Sequence, residues 1–241
     1  METELWITKL FNDHLAGLGN SILGIVGAHA DPRPWANFVV MQFVVVLFLM
    51  VVVALLRLRL SAGRPGNFQQ TSELIYEFVG GQAEDQIGHD GRRYMGYFGT
   101  IFLFILTANL IGIVPCFESP TRNPSVTAGC ALATFIYYNL VGIQANGFKY
   151  AASFAGPVWW LAPMMVPIEI ISQMARPVSL TIRLYANMFA GEEVIMAFLG
   201  LTLFPVPVIF MGLHVFVGAI QAYIFMVLTM VYVGGAVAHE H

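Results

Sequence analysis

Five ionisable side chains stand in a stretch of residues otherwise suited to lipid. Between Pro167 and Gly200 (PIEIISQMARPVSLTIRLYANMFAGEEVIMAFLG) the chain carries Glu169, Arg176, Arg183, Glu192 and Glu193 among Ile, Leu, Val, Met, Phe and Ala. An ionisable group at a bilayer centre costs at least ~2.5–3.5 kcal/mol, so such groups mark an ion path or a buried pairing. At ~100° per residue, the seven-residue steps Glu169, Arg176, Arg183 drift by only about 20° each, which sets all three on one helix face. Ser172 and Ser179 fall close to that line, and Asn187, one turn past Arg183, extends it. Glu192 points roughly to the opposite side. The pattern predicts two polar environments separated along and around one helix. The chemistry open to these residue types is movement of protons or ions.

Holding such groups in a bilayer requires spanning helices, and the sequence predicts five, over residues 36–56, 94–114, 126–143, 161–200 and 206–237. Residues 1–35 read as an external, partly helical segment. Residues 71–88 read as a cytoplasmic interfacial helix, because Leu74, Ile75, Phe78 and Val79 recur at helical spacing opposite Glu73, Glu77 and Gln82. Pro157, Trp159 and Trp160 suit a membrane interface. Arg57, Arg59, Arg64, Arg92, Arg93 and Lys149 on one side outweigh Lys9, Arg33 and Arg122 on the other, which predicts the N-terminus outside and the C-terminus in the cytoplasm. Met164 to Leu199 as one helix would be ~54 Å long against a hydrocarbon core of ~30 Å. Either Pro177 breaks it, or the last two helices form a steeply inclined antiparallel hairpin turning near Pro205 and Pro207. The second is the expectation.

Composition agrees. The 241 residues are 58% hydrophobic and 10% charged, with mean hydropathy +0.73, where soluble domains carry roughly 25% charge. The expected fold class is therefore an all-α integral membrane protein, one membrane domain over 1–241. Net charge is −3 without a basic cluster, which argues against nucleic acid. The opening METEL lacks a basic region ahead of a short apolar core, so no cleavable signal peptide is expected. There is no CxxC or HExxH spacing, phosphate loop, GxSxG elbow or Walker sequence, so neither metal nor cofactor is expected. Cys116 and Cys130 face one short loop, where a bridge is sterically conceivable. No internal repeat with matched broken helices occurs, which weighs against a self-contained carrier.

The run PVSLTIRLYANMFAGE (177–192), the C-terminal QAYIFMVLTMVYV (221–233) and NLIGIVP (109–115) together resemble the a subunits of F-type ATP synthases, stator channel proteins beside a rotating c-ring. The resemblance covers roughly residues 36–238. It implies a proton-translocating subunit with two offset half-channels, not an enzyme on its own, in a bacterial plasma (inner) membrane or an equivalent energy-transducing membrane. The implied partners are the c-ring, the peripheral-stalk b subunits, the bilayer and protons. The family's indispensable arginine falls on Arg183, and its access-channel residues on Asn187, Glu192, His214 and Gln221. Glu169 and Ser179 match positions toward the cytoplasmic half-channel and near the arginine, with Arg176 and Ser172 as secondary candidates. Where some relatives have an acid, this chain has Gly112, so outer access would rest on Glu192, His214 and the loop residue Glu118.

Structural alternatives stay open on the sequence. Arg176 could pair with Glu169 or snorkel, Glu192 could hydrogen-bond His214, Ser179 could bond back to a helix carbonyl, and Asn187 could serve packing. The functional alternatives are an independent secondary transporter and a membrane scaffold.

Overall fold

A computed structural model describes residues 4–26, 32–61, 66–114, 117–147, 150, 162–201 and 205–237. Arg64, Cys116 and with it the conceivable bridge to Cys130, Lys149, Pro157, Trp159 and Trp160 lie outside the described residues. The described elements are α1 (Trp6–Val26), α2 (Asn37–Leu58), α3 (Asn67–Ile87), α4 (Met95–Ile111), α5 (Pro124–Asn146), α6 (Ala162–Leu201) and α7 (Pro205–Val237), with short 3-10 turns at His89–Tyr94 and Pro120–Arg122. By length and apolarity α2, α4 together with the turn His89–Tyr94, α5, α6 and α7 suffice to cross a membrane. This is an all-helical, multi-pass membrane protein.

Local chemistry sets the helix ends. α5 starts at Pro124, ahead of the expected Val126, because the Asn123 side chain accepts from Ser125 N (2.9 Å) and proline fits a first turn. It stops at Gly147, whose φ of 54° ends the helix without Cβ strain. α3 begins a turn before the expected Thr71. The Thr71 and Ser72 hydroxyls donate back to the carbonyls of Asn67 and Phe68 (3.0 Å each), so they sit inside the helix and do not cap it. α4 is entered through the turn His89–Tyr94 and ends at Ile111, short of the expected Val114.

Pro177 does not break α6. The helix runs through both Pro167 and Pro177 for 40 residues, and α7 for 33, lengths of ~60 and ~50 Å at ~1.5 Å per residue. Pro177 leaves the Gln173 carbonyl without its helical donor, a loss that membrane helices tolerate where the surrounding helices re-satisfy the backbone. The two long helices pair antiparallel. Phe198 stacks on Phe210 (centroids 4.3 Å), Asn187 bonds Gln221 (2.9 Å), and the Arg176 guanidinium lies 5.2 Å from the Tyr232 ring centroid. Each step forward along α6 is matched by an equal step back along α7.

α7 is the axis of the bundle, packed against α3, α4, α5 and α6. One core cluster joins Val79 and Ala83 of α3 to Met95, Phe98, Tyr138, Val141, Met226, Met230 and Val233. A second joins Ile101, Ile105, Cys130, Ala131, Leu180, Leu184, Met188, Ala222 and Phe225. α2 packs on α4 and the turn Pro120–Arg122 and leaves Phe43, Leu47, Phe48 and Met50 exposed, which in hydrocarbon carries no penalty. Buried Leu184 and Met188 fix which flank of α6 turns inward, and so which flank its charges occupy.

Candidate functional site

The polar residues of α6 fall into three groups along its length. In the first, Gln173 Nε2 donates to Glu169 Oε1 (3.1 Å), and Tyr138 Oη of α5 donates to Gln173 Oε1 (2.7 Å). Arg176 neither pairs with Glu169 nor snorkels away. Its guanidinium lies over the rings of Tyr138 (5.9 Å) and Tyr232 (5.2 Å), a cation–π contact shared between α5 and α7. Tyr150 stands close by and donates to Asn139 Oδ1 (3.0 Å); burial pushes its phenol up, and the charge of Arg176 opposes that shift. Ser172 is exposed.

The middle group holds Ser179, Arg183 and Asn187. All three are exposed on the flank of α6, while Leu180, Leu184 and Met188 are buried on the other side. Among the described residues Arg183 has no ion pair and no hydrogen bond. The exposed residues on the adjoining flank include Ala175, Ala186 and Ala190, which leave its surroundings low enough for another helix to approach closely. Ser179 makes no backward hydrogen bond. Asn187 is not merely packed: its Nδ2 donates to Gln221 Oε1 of α7 (2.9 Å).

The third group gathers four elements. Arg122, from the turn between α4 and α5, reaches Glu192 Oε2 with Nη1 (3.3 Å) and Glu193 Oε1 with Nη2 (2.9 Å). His214 of α7 is 5% exposed, and its ring fills the space left by the missing side chain of Gly191, where a Cβ would stand 2.7 Å from His214 Cε1. Glu192 does not hydrogen-bond His214. Among the described residues both ring nitrogens of His214, Glu192 Oε1 and Gln221 Nε2 are buried without a hydrogen-bond partner, as are Thr8 Oγ1 and Asn146 Oδ1 away from this group, and a native fold leaves few buried polar atoms in that state. Gly112, just past the end of α4, closes the group, since a Cβ there would lie 3.1 Å from Glu192 Oε1. Glu118 sits at the rim, accepting from Asn37 Nδ2 (3.4 Å). No cluster of His, Cys, Asp or Glu among the described residues could hold a metal ion.

Residues 38–234 match the family described as ATP synthase A chain. The chain belongs to that family. It is 64% identical over 233 residues to ATP synthase subunit a of Solibacter usitatus (strain Ellin6076), covering 96% of this chain and 100% of that one. It is 45% identical over 244 residues to the subunit a of Koribacter versatilis (strain Ellin345), covering 100% of both, and 39% identical over 206 residues to that of Trichlorobacter lovleyi, covering 86% and 89%.

In this member of the ATP synthase A chain family the fold brings Glu192, His214, Asn187 and Gln221 to one end of the α6–α7 hairpin, and Glu169 and Arg176 to the other, with Arg183 between them. The sequence alone did not single out Gln173, Tyr138, the pairing of Arg122, or the buried Asn109 and Thr121, whose side chains bond each other (2.8 Å). Gln173 had a signal, standing one turn from Glu169 on the same face. Asn109 had one in its place within NLIGIVP. Tyr138, Thr121 and the pairing of Arg122 had none, because their contacts join separate elements.

Proposed function

We propose that this chain is the proton-translocating stator subunit of an F-type ATP synthase, with Arg183 facing the carboxylates of a rotating c-ring. Family membership supports the assignment, and it does not favour an independent secondary transporter. The observation that carries the residue-level reading is Arg183, a permanent cation on a lipid-depth helix, exposed, unpaired among the described residues and flanked by alanines. A cation within ~4–6 Å favours the ionised form of a carboxyl group by ~1.4–4 kcal/mol. A rotor acid arriving beside Arg183 therefore gives up its proton there and regains one after passing. The guanidinium stays protonated throughout, which keeps it from short-circuiting the two sides.

Glu192, His214, Gln221 and Asn187 form the outer half-channel, with Glu118 at its mouth; the unpartnered buried atoms of Glu192, His214 and Gln221 suit water and moving protons. Glu169, Ser172, Ser179 and Arg176 line the inner one. The positive-inside excess of Arg57, Arg59, Arg64, Arg92, Arg93 and Lys149 supports an N-terminus outside and a C-terminus in the cytoplasm of a bacterial plasma membrane or its equivalent. Peripheral-stalk b subunits hold the chain against the ring's torque. The chain is thus a channel component of an enzyme complex, not an enzyme by itself.

The test is Arg183→Ala in the whole complex. Complete loss of ATP-driven proton pumping with normal assembly is expected, and coupled pumping at the wild-type rate refutes the reading.

A further inference from the structure

We propose that Arg122 is the positioning residue of the outer half-channel: it tethers one carboxylate oxygen of Glu192 at the mouth, so that the other oxygen carries the transported proton inside. The inference rests on the outer-access role proposed above for Glu192.

Arg122 is mounted on a fixed platform. Ser119 Oγ lies 2.9 Å from Ala108 O and 2.7 Å from Thr121 Oγ1, Thr121 Oγ1 lies 2.8 Å from Asn109 Oδ1, and Asn109 Nδ2 donates to Gly218 O (3.0 Å). Ser119, Thr121 and Asn109 are all buried. The network therefore ties the turn to α4 and, through Gly218, to the stretch of α7 between His214 and Gln221. A buried network with its members bonded to one another holds one geometry. The next residue along, Arg122, inherits that rigidity and lies over the Phe189 ring (5.7 Å), which limits its swing.

The bridge divides the labour between the two oxygens of Glu192. Oε2 faces the guanidinium at 3.3 Å, whereas Oε1 is buried, lacks a hydrogen-bond partner and looks toward Gly112. An oxygen in contact with a permanent cation is a poor site for a proton, so protonation goes to the other. Gly191, the neighbour of Glu192, touches the His214 ring, whose nitrogens are likewise buried without a partner among the described residues. Glu193 takes the second arm of the fork and keeps the guanidinium from rotating onto both oxygens of Glu192. The charged groups against Glu192 are Arg122 and Glu118 from the loop and Glu193 on its own helix, while His214 packs on the adjacent Gly191.

The experiment uses the assembled complex in inverted vesicles, with passive proton conduction followed by dye quenching after removal of the catalytic head. Arg122→Gln keeps the length and loses the charge, and should lower conduction about tenfold. Arg122→Lys keeps a cation on the same platform but loses the fork, and should lose less conduction than Arg122→Gln. Glu192→Gln should fall at least as far as Arg122→Gln. Wild-type conduction in Arg122→Gln beside a defective Glu192→Gln overturns the inference and leaves the outer-access reading standing. Wild-type conduction in Glu192→Gln overturns both. Equal losses in Arg122→Gln and Arg122→Lys mark a packing role and overturn the inference. If Arg122→Gln fails to assemble, Arg122→His replaces it: conduction relative to wild type should be higher at about pH 6 than at about pH 8, and the same ratio at both overturns the proposal.

Discussion

Replacing Gly191 with alanine tests the site through a single methyl group. Built on the backbone of α6, the new Cβ would lie 2.7 Å from His214 Cε1 and closer still to Nδ1, where carbon atoms normally rest ~3.5–4.0 Å apart. One of the two must move by roughly 1 Å, and the Cβ is fixed to a helix backbone while the imidazole is not. Over-packing of this kind costs ~1–3 kcal/mol, and a ~1 Å misplacement of a working group can cost ~100-fold in rate. Passive conduction in Gly191→Ala should therefore fall about tenfold or more, with the complex still assembled. Gly200 on the same helix provides the control, because a Cβ there meets nothing within 4 Å. Gly200→Ala should conduct as wild type. Combining Gly191→Ala with His214→Ala removes the clash, so the double variant should match His214→Ala alone, the two changes acting through one contact. Conduction in Gly191→Ala equal to that of Gly200→Ala would refute the reasoning.

Two further predictions follow from the hydrogen bonds along the hairpin. Asn187→Leu and Gln221→Leu should each slow conduction, and a double-mutant cycle should return a coupling of about 1 kcal/mol for their 2.9 Å bond, whereas strict additivity would separate their roles. Tyr138→Phe deletes the donor to Gln173 and with it the fixed orientation of Glu169; ATP-driven pumping should drop severalfold, with Glu169→Gln adding less in that background than in wild type, and full additivity would detach Tyr138 from the inner path.

The architecture was legible because lipid makes strong demands on sequence. Uncharged runs of the right length announce helices such as α2, and an arginine such as Arg183 in an apolar helix announces a purpose. The continuity of α6 was less so, since Pro177 removes a backbone donor and only the surrounding bundle decides whether the helix survives that loss. Periodicity placed Glu169, Arg176, Arg183 and Asn187 on one stripe, but it says nothing of partners on other helices. Hence Arg176 went to the rings of Tyr138 and Tyr232 and not to Glu169, and Glu192 went to Arg122 and not to His214. The Ser119–Thr121–Asn109–Gly218 network joins residues 109 positions apart at its widest, a distance over which sequence pattern carries no register.

Coupling depends on where the Arg183 guanidinium points in the assembled machine. The most direct test is a structure of the whole complex resolved well enough to locate that side chain and the nearest rotor carboxyl. The two groups should lie ~4–6 Å apart, with Ala186 and Ala190 against rotor helices. A guanidinium turned into acyl chains, or closed into an ion pair within its own chain, would contradict that placement.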